Sequence, residues 1–304
     1  MLTVTVSPAP RALQSAIDAL PPTGDITLRL LPGLYREKVV LERPHTTIEG
    51  EGATLLWDDA ARTILEDGMK RGTFRTATLL CGAEHVTLRG LTVVNAAAPR
   101  EEAGQAIALY VDGDHFRCEG CTLRSLQDTL FTAPLPPKEI EKNGFVGPRQ
   151  FAPRTPQRHL YLRCRIEGDV DFIFGGAAAW FEDCDIVSRG EGYATAASTP
   201  EGQRYGYVFS GCRFLSEGAP ERSVYLGRPW REFARTVLLA CELGEHIRPE
   251  GWHDWGKSAF HTRGDYAEYA CTGPGAQGER AAFARRLTPA QAAAITREDL
   301  LRSL

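Results

Sequence analysis

One short pattern recurs along the chain and limits what it can fold into. ATLLW begins at Ala53, LTVVN at Leu91, CTLRS at Cys121, CRIEG at Cys164, CDIVS at Cys184, CRFLS at Cys212 and CELGE at Cys241. Each segment follows a small or polar corner and precedes a turn, at intervals of 38, 30, 43, 20, 28 and 29 residues. A unit of ~20–30 residues made only of strand and loop cannot bury its apolar face alone and must stack on its neighbours. The expected class is therefore all-β, a parallel β-helix, with unequal intervals read as loops of unequal length. On this reading residues 1–304 form a single domain.

Helices are expected only at the ends. Pro10–Leu20 places Leu13, Ile17 and Leu20 at helical spacing and stops at Pro21. Thr288, followed by Pro289 at the first helical position, opens a C-terminal helical tail over about 286–304.

The repeat also accounts for most of the eight cysteines. Cys121, Cys164, Cys184, Cys212 and Cys241 share one repeat position, so they should stack as an internal column. Free thiols are favoured because Cys packs as a small hydrophobe. A disulfide between neighbouring rungs is the competing reading. Cys118 and Cys121, three apart on a strand, face opposite sides and make a poor metal chelate. The seven His are scattered without ligand spacing. No metal and no cofactor is expected.

Composition removes other classes. A net charge of −4 argues against a nucleic-acid binder that works by counterion release. No apolar run approaches the ~18 residues that cross a bilayer, so no membrane partner is expected either. MLTVTVSPAP lacks the basic, apolar and small-residue regions of a leader. A cytoplasmic location follows, the alternative being a secreted chain whose leader has been removed. Gly251–Ser258, GWHDWGKS, formally matches a phosphate-binding loop. Two Trp inside it and no helical period after it argue against that function.

Two successive rungs carry the candidate chemistry. Asp128 lies seven residues after Cys121, and Asp171 seven after Cys164. Coils at strand spacing, ~4.8 Å, would stack these carboxylates one above the other. Like charges that close resist joint ionisation, so one pKa should rise and the other stay low. The competing reading is two Asp at turns, where Asp is common for backbone reasons. Three neighbours favour a site. Gln127 adjoins Asp128, Gln105 lies on the preceding coil, and both amides can donate to an oxyanion. Arg228 is a permanent cation able to hold one Asp ionised.

These residues sit in motifs that resemble the pectin methylesterases (pectinesterases). In order they are GLYRE (33–37), TFRTAT (73–78), QAIAL (105–109), LQDTLF (126–131), GDVDFIFG (168–175), YLGRPW (225–230), IRPEGWHDW (247–255) and AEYACTGPGA (267–276). The resemblance implies a single-stranded right-handed parallel β-helix with three parallel sheets and a carbohydrate cleft on one of them. It implies hydrolysis of the C6 methyl ester of galacturonate units in pectin or methylated oligogalacturonides, releasing methanol. By position Asp171 matches the nucleophile and Asp128 the general acid/base. Gln127 and Gln105 match oxyanion donors, and Arg228 the group that orients Asp171. Thr73, Val170, Phe174, Trp230 and Trp255 match substrate-binding positions. A monomer is expected. The alternatives are another pectin-active β-helix enzyme, a glycoside hydrolase or lyase, and a non-catalytic carbohydrate-binding β-helix.

One segment departs from compact members. Residues 132–158 hold six prolines and five basic residues against two acidic ones. They read either as a surface loop stiffened by proline, or as a cleft wall that grips a sugar carboxylate and limits polymer length.

Overall fold

The computed structural model describes residues 2–302. Every strand that pairs within the named sheets pairs in parallel, coil upon coil. One sheet runs through eleven strands from Leu2–Val6 to Ala284–Arg286. The second holds thirteen strands and comprises two ladders. Those ladders fuse where Arg165–Gly175 and Asp185–Ala197 run unbroken round a corner that other coils turn with a loop. The three expected faces are thus present, and two of them share continuous strands.

The repeat is legible in the core as columns of like residues. Leu55, Val93, Leu123, Ile166, Ile186, Phe214 and Leu243 occupy successive registers and are all buried. On the first sheet Tyr161, Phe181 and Phe209 stack with ring centroids 4.6 and 4.5 Å apart. That separation is close to the strand spacing, so side-chain stacking and backbone hydrogen bonding favour the same rise per coil. The cysteine column stands as expected. The Cys164 and Cys184 amides each donate to the sulfur of the next rung, at 3.4 Å. All eight cysteines are free thiols, seven of them buried.

The two ends are finished differently. Helix Ala12–Asp18 buries Leu13 and Ile17 in the main core, and the Leu13 and Gln14 amides donate to Glu37 at 3.0 Å. The C-terminal tail is two helices rather than one, Pro289–Ala293 and Arg297–Arg302, with 303–304 outside the described residues. Thr288 and Gln291 form a reciprocal cap on the first helix. Thr296 accepts from the Asp299 amide at 3.1 Å and starts the second. An N-cap of this kind inside the apparent helical run is what divides it. The helices lie on the outer face of the eleven-stranded sheet, where Ala292 and Leu300 cluster with Leu160, Trp180 and Val208.

No helix among the described residues is long and apolar enough to cross a membrane. The Gly251–Ser258 segment is no phosphate cradle: Trp252 is buried against Tyr266, and the helix that follows has four residues, Phe260–Arg263.

Candidate active site

Backbone register places the polar residues. Gln105 bridges Gln127, and Gln127 bridges Val170, so the three form one column across successive coils. The column continues through Tyr193 to Tyr225. Asp128 and Asp171 occupy the next position, as the pairing of Leu130 with Ile173 two residues later requires. Both Asp have left-handed backbones, with φ of 64° and 51°. Successive residues of a regular strand face opposite sides. The left-handed residue breaks that alternation, so Gln127 and Asp128 both reach the same cleft. Asp tolerates this conformation better than most residues. At Asp171 the pairing of Arg165–Gly175 with its neighbour shifts register, a bulge of the sort that re-aims a side chain.

The two carboxyl groups have different partners. Arg228 takes both oxygens of Asp171, Nε to Oδ1 at 2.8 Å and Nη2 to Oδ2 at 2.7 Å. Asp128 makes no hydrogen bond through its side chain among the described residues. Burial, then the charge of Asp171, hold Asp128 well above the usual carboxylate range, with Arg228 opposing and Asp169 adding a little. Burial raises Asp171 as well, against the pull of the hydrogen-bonded Arg228 and the nearby Lys257, so both carboxyl groups lie above the ordinary range and the partner expected to stay low is instead the less raised of the two. Asp128 is therefore the group that keeps its proton longer, and Asp171 the one held ready to ionise. The side-chain amides of Gln105 and Gln127 have no protein partner among the described residues. Both face the cleft with donors to spare.

The cleft encloses about 340 Å³, enough for a sugar unit. Thr73, Phe174, Trp230 and Trp255 line it. Val170 does not. It lines a neighbouring concavity that shares Gln127 with the cleft.

Several residues at the site lie outside the motifs that marked it in the sequence. Phe145, from the long loop, meets Phe74 at 5.8 Å and Trp230 at 6.2 Å between ring centroids. Ile140, Glu141 and Gly144 stand with it in the cleft wall, and Arg231 donates to the Lys138 carbonyl at 2.9 Å. The loop is thus a wall, but its arginines do not grip the cleft. Arg149 is spent on Asp112 and Glu42, Arg158 on Asp114, and Arg154 on backbone carbonyls. They tie the loop down from behind. Tyr193 lies against Arg228, and Lys257 acts on Asp171 from the segment that imitates a phosphate loop, the one signal the sequence carries for it.

The sequence profile named Pectinesterase matches residues 6–135 and 154–302. The chain belongs to the pectinesterase family. The unmatched stretch, 136–153, is the part of the long loop that forms the cleft wall. Pectinesterase QRT1 of Arabidopsis thaliana is 31% identical over 291 residues, covering 91% of this chain and 70% of that protein. Pectin methylesterase PemA from Erwinia chrysanthemi superposes with a TM-score of 0.76 at 26% identity, over 99% of this chain and 97% of that one. A pectin methylesterase solved in complex with a hexasaccharide superposes with a TM-score of 0.75 at 27% identity, over 95% and 92% of the two chains. The parallel β-helix is common to this pectinesterase and those structures.

Proposed function

We propose that this pectinesterase hydrolyses the C6 methyl ester of galacturonate units through a covalent intermediate on Asp171. The observation that carries the reading is the asymmetric pair: two stacked buried carboxyl groups, of which Arg228 holds only one. Ionised Asp171 attacks the ester carbonyl, and the Gln127 and Gln105 amides receive the developing oxyanion. Protonated Asp128 gives its proton to departing methanol, which leaves an acyl-enzyme anhydride. Asp128 then draws a proton from water as that water attacks the anhydride, and the free acid is released with Asp171 regenerated. Thr73, Phe174, Trp230 and Trp255 hold the sugar. The raised pKa of Asp128 supports the acid role, since a carboxyl group at its ordinary pKa would be ionised at neutral pH.

The substrate is pectin or a methylated oligogalacturonide. Purified protein incubated with methylated oligogalacturonides should release methanol without forming new reducing ends. Asp171→Ala should abolish that release while far-ultraviolet circular dichroism stays unchanged. New reducing ends, or full turnover by Asp171→Ala, would overturn the reading.

A further inference from the structure

The guanidinium of Arg228 does more than meet Asp171. Its Cζ lies 3.7 Å from the centroid of the Trp255 ring and 3.9 Å from that of Tyr193. The guanidinium is thus in close cation–π contact with both rings at once. Both rings continue outward. Tyr193 stacks on Tyr225 at 5.3 Å, and Trp255 carries the Lys257 ammonium 3.8 Å from its centroid. Lys257 is itself fixed, with Nζ donating to the Pro229 carbonyl at 2.9 Å, one residue beyond Arg228. The result is a continuous run of contacts from Lys257 through Trp255, Arg228 and Tyr193 to Tyr225, with the group that holds Asp171 at its centre.

We propose that Lys257 is a positioning residue for ester hydrolysis, seating Trp255 on Arg228 and adding a second positive charge that favours ionised Asp171. The proposal rests on the function stated above. A cation over an indole is attracted most strongly where water is excluded, and Lys257 is half-buried. With Trp255 seated, the guanidinium has little freedom to tilt, so its two-pronged grip on the carboxylate keeps one orientation. The charged groups facing Lys257 are Arg231 and Arg228 from the YLGRPWR turn, Asp171 from its strand, and Asp254 from its own turn. Burial first, then Arg231 and Arg228, lower the ammonium to about 8, against the opposing pull of Asp171 and Asp254. Lys257 therefore carries its charge at neutral pH and loses it in mildly alkaline solution.

Lys257→Met keeps a stem of similar bulk and removes the charge, whereas Lys257→Arg keeps the charge. At neutral pH the Met variant should show kcat lowered roughly tenfold with KM within about twofold of the parent. The acid limb of its kcat/KM profile should move to higher pH, because Asp171 loses a stabilising cation. The gap between parent and Met variant should close above pH ~8, where the parent's own ammonium deprotonates. Lys257→Arg should restore both rate and acid limb. A loss that is uniform across pH, or a Met variant equal to the parent, would overturn the proposal. A readout independent of turnover is indole fluorescence, which should step near pH ~8 in the parent and not in Lys257→Met. No step in the parent would also overturn it, and failure of the parent to release methanol would instead overturn the functional reading.

Discussion

Arg228 reaches Asp171 from two coils further along the β-helix, crossing the face of Tyr193 to take both carboxylate oxygens at 2.7–2.8 Å. The stacked coils place a cation where the chain, 57 residues apart, shows no local link.

Replacing Arg228 by lysine keeps a positive charge but loses the planar fork. On the proposed mechanism kcat should fall ~10²-fold, with only a small change in KM. Arg228 opposes the burial that raises Asp171, so weakening it leaves Asp171 protonated to higher pH. The acid limb of the rate profile should therefore shift upward. Steady-state methanol release between pH 4 and 9 checks both outcomes.

Asp128→Asn removes the proton donor and should cost ~10²–10⁴-fold in kcat. The same change should stabilise the fold at alkaline pH. Burial and the neighbouring Asp171 hold the folded-state pKa of Asp128 well above the ordinary aspartate value of 3.8. Its stabilising contribution is fully present below that value and is lost as pH rises through the folded-state pKa. Removing the carboxyl should thus raise Tm more at pH 8 than at pH 4, measured by thermal unfolding of both proteins at each pH.

Gln127→Leu preserves bulk and deletes the amide. Loss of one oxyanion donor typically costs ~10²–10³-fold in kcat. KM should change less than about threefold, since the donor acts on charge that develops only in the transition state. Single-turnover kinetics should place the loss in formation of the acyl-enzyme.

Phe145 caps an aromatic cluster with Phe74, Phe174 and Trp230 on the loop side of the cleft. Phe145→Ala should raise KM for oligogalacturonides about fivefold and leave kcat nearly unchanged. Its loop is anchored elsewhere, through Arg149 and Gln157 on Asp112, so the fold should persist. Michaelis kinetics on a hexamer, with circular dichroism as control, tests both points.

The chain's own order determined the coil register. Because strand spacing is fixed, two residues equally far from successive repeat cysteines come level where no bulge or loop intervenes between the cysteine and the residue. That alone brought Asp128 beside Asp171 and stacked the thiols. Short-range signals also served where the partner is local, as in the Thr288 and Gln291 cap. What the sequence did not contain was the direction of side chains at broken periodicity. Strand alternation would send Gln127 and Asp128 to opposite sides, and only the left-handed backbone at Asp128 unites them. Nor did it contain contacts between loops leaving different coils. The loop arginines turned away from the cleft because Asp112, Glu42 and Asp114 lie behind it. Lys257 joined the site because the turn before it folds back over Arg228. Register follows from counting along the chain, but which side chain faces which across unequal loops is settled only when all the coils are stacked.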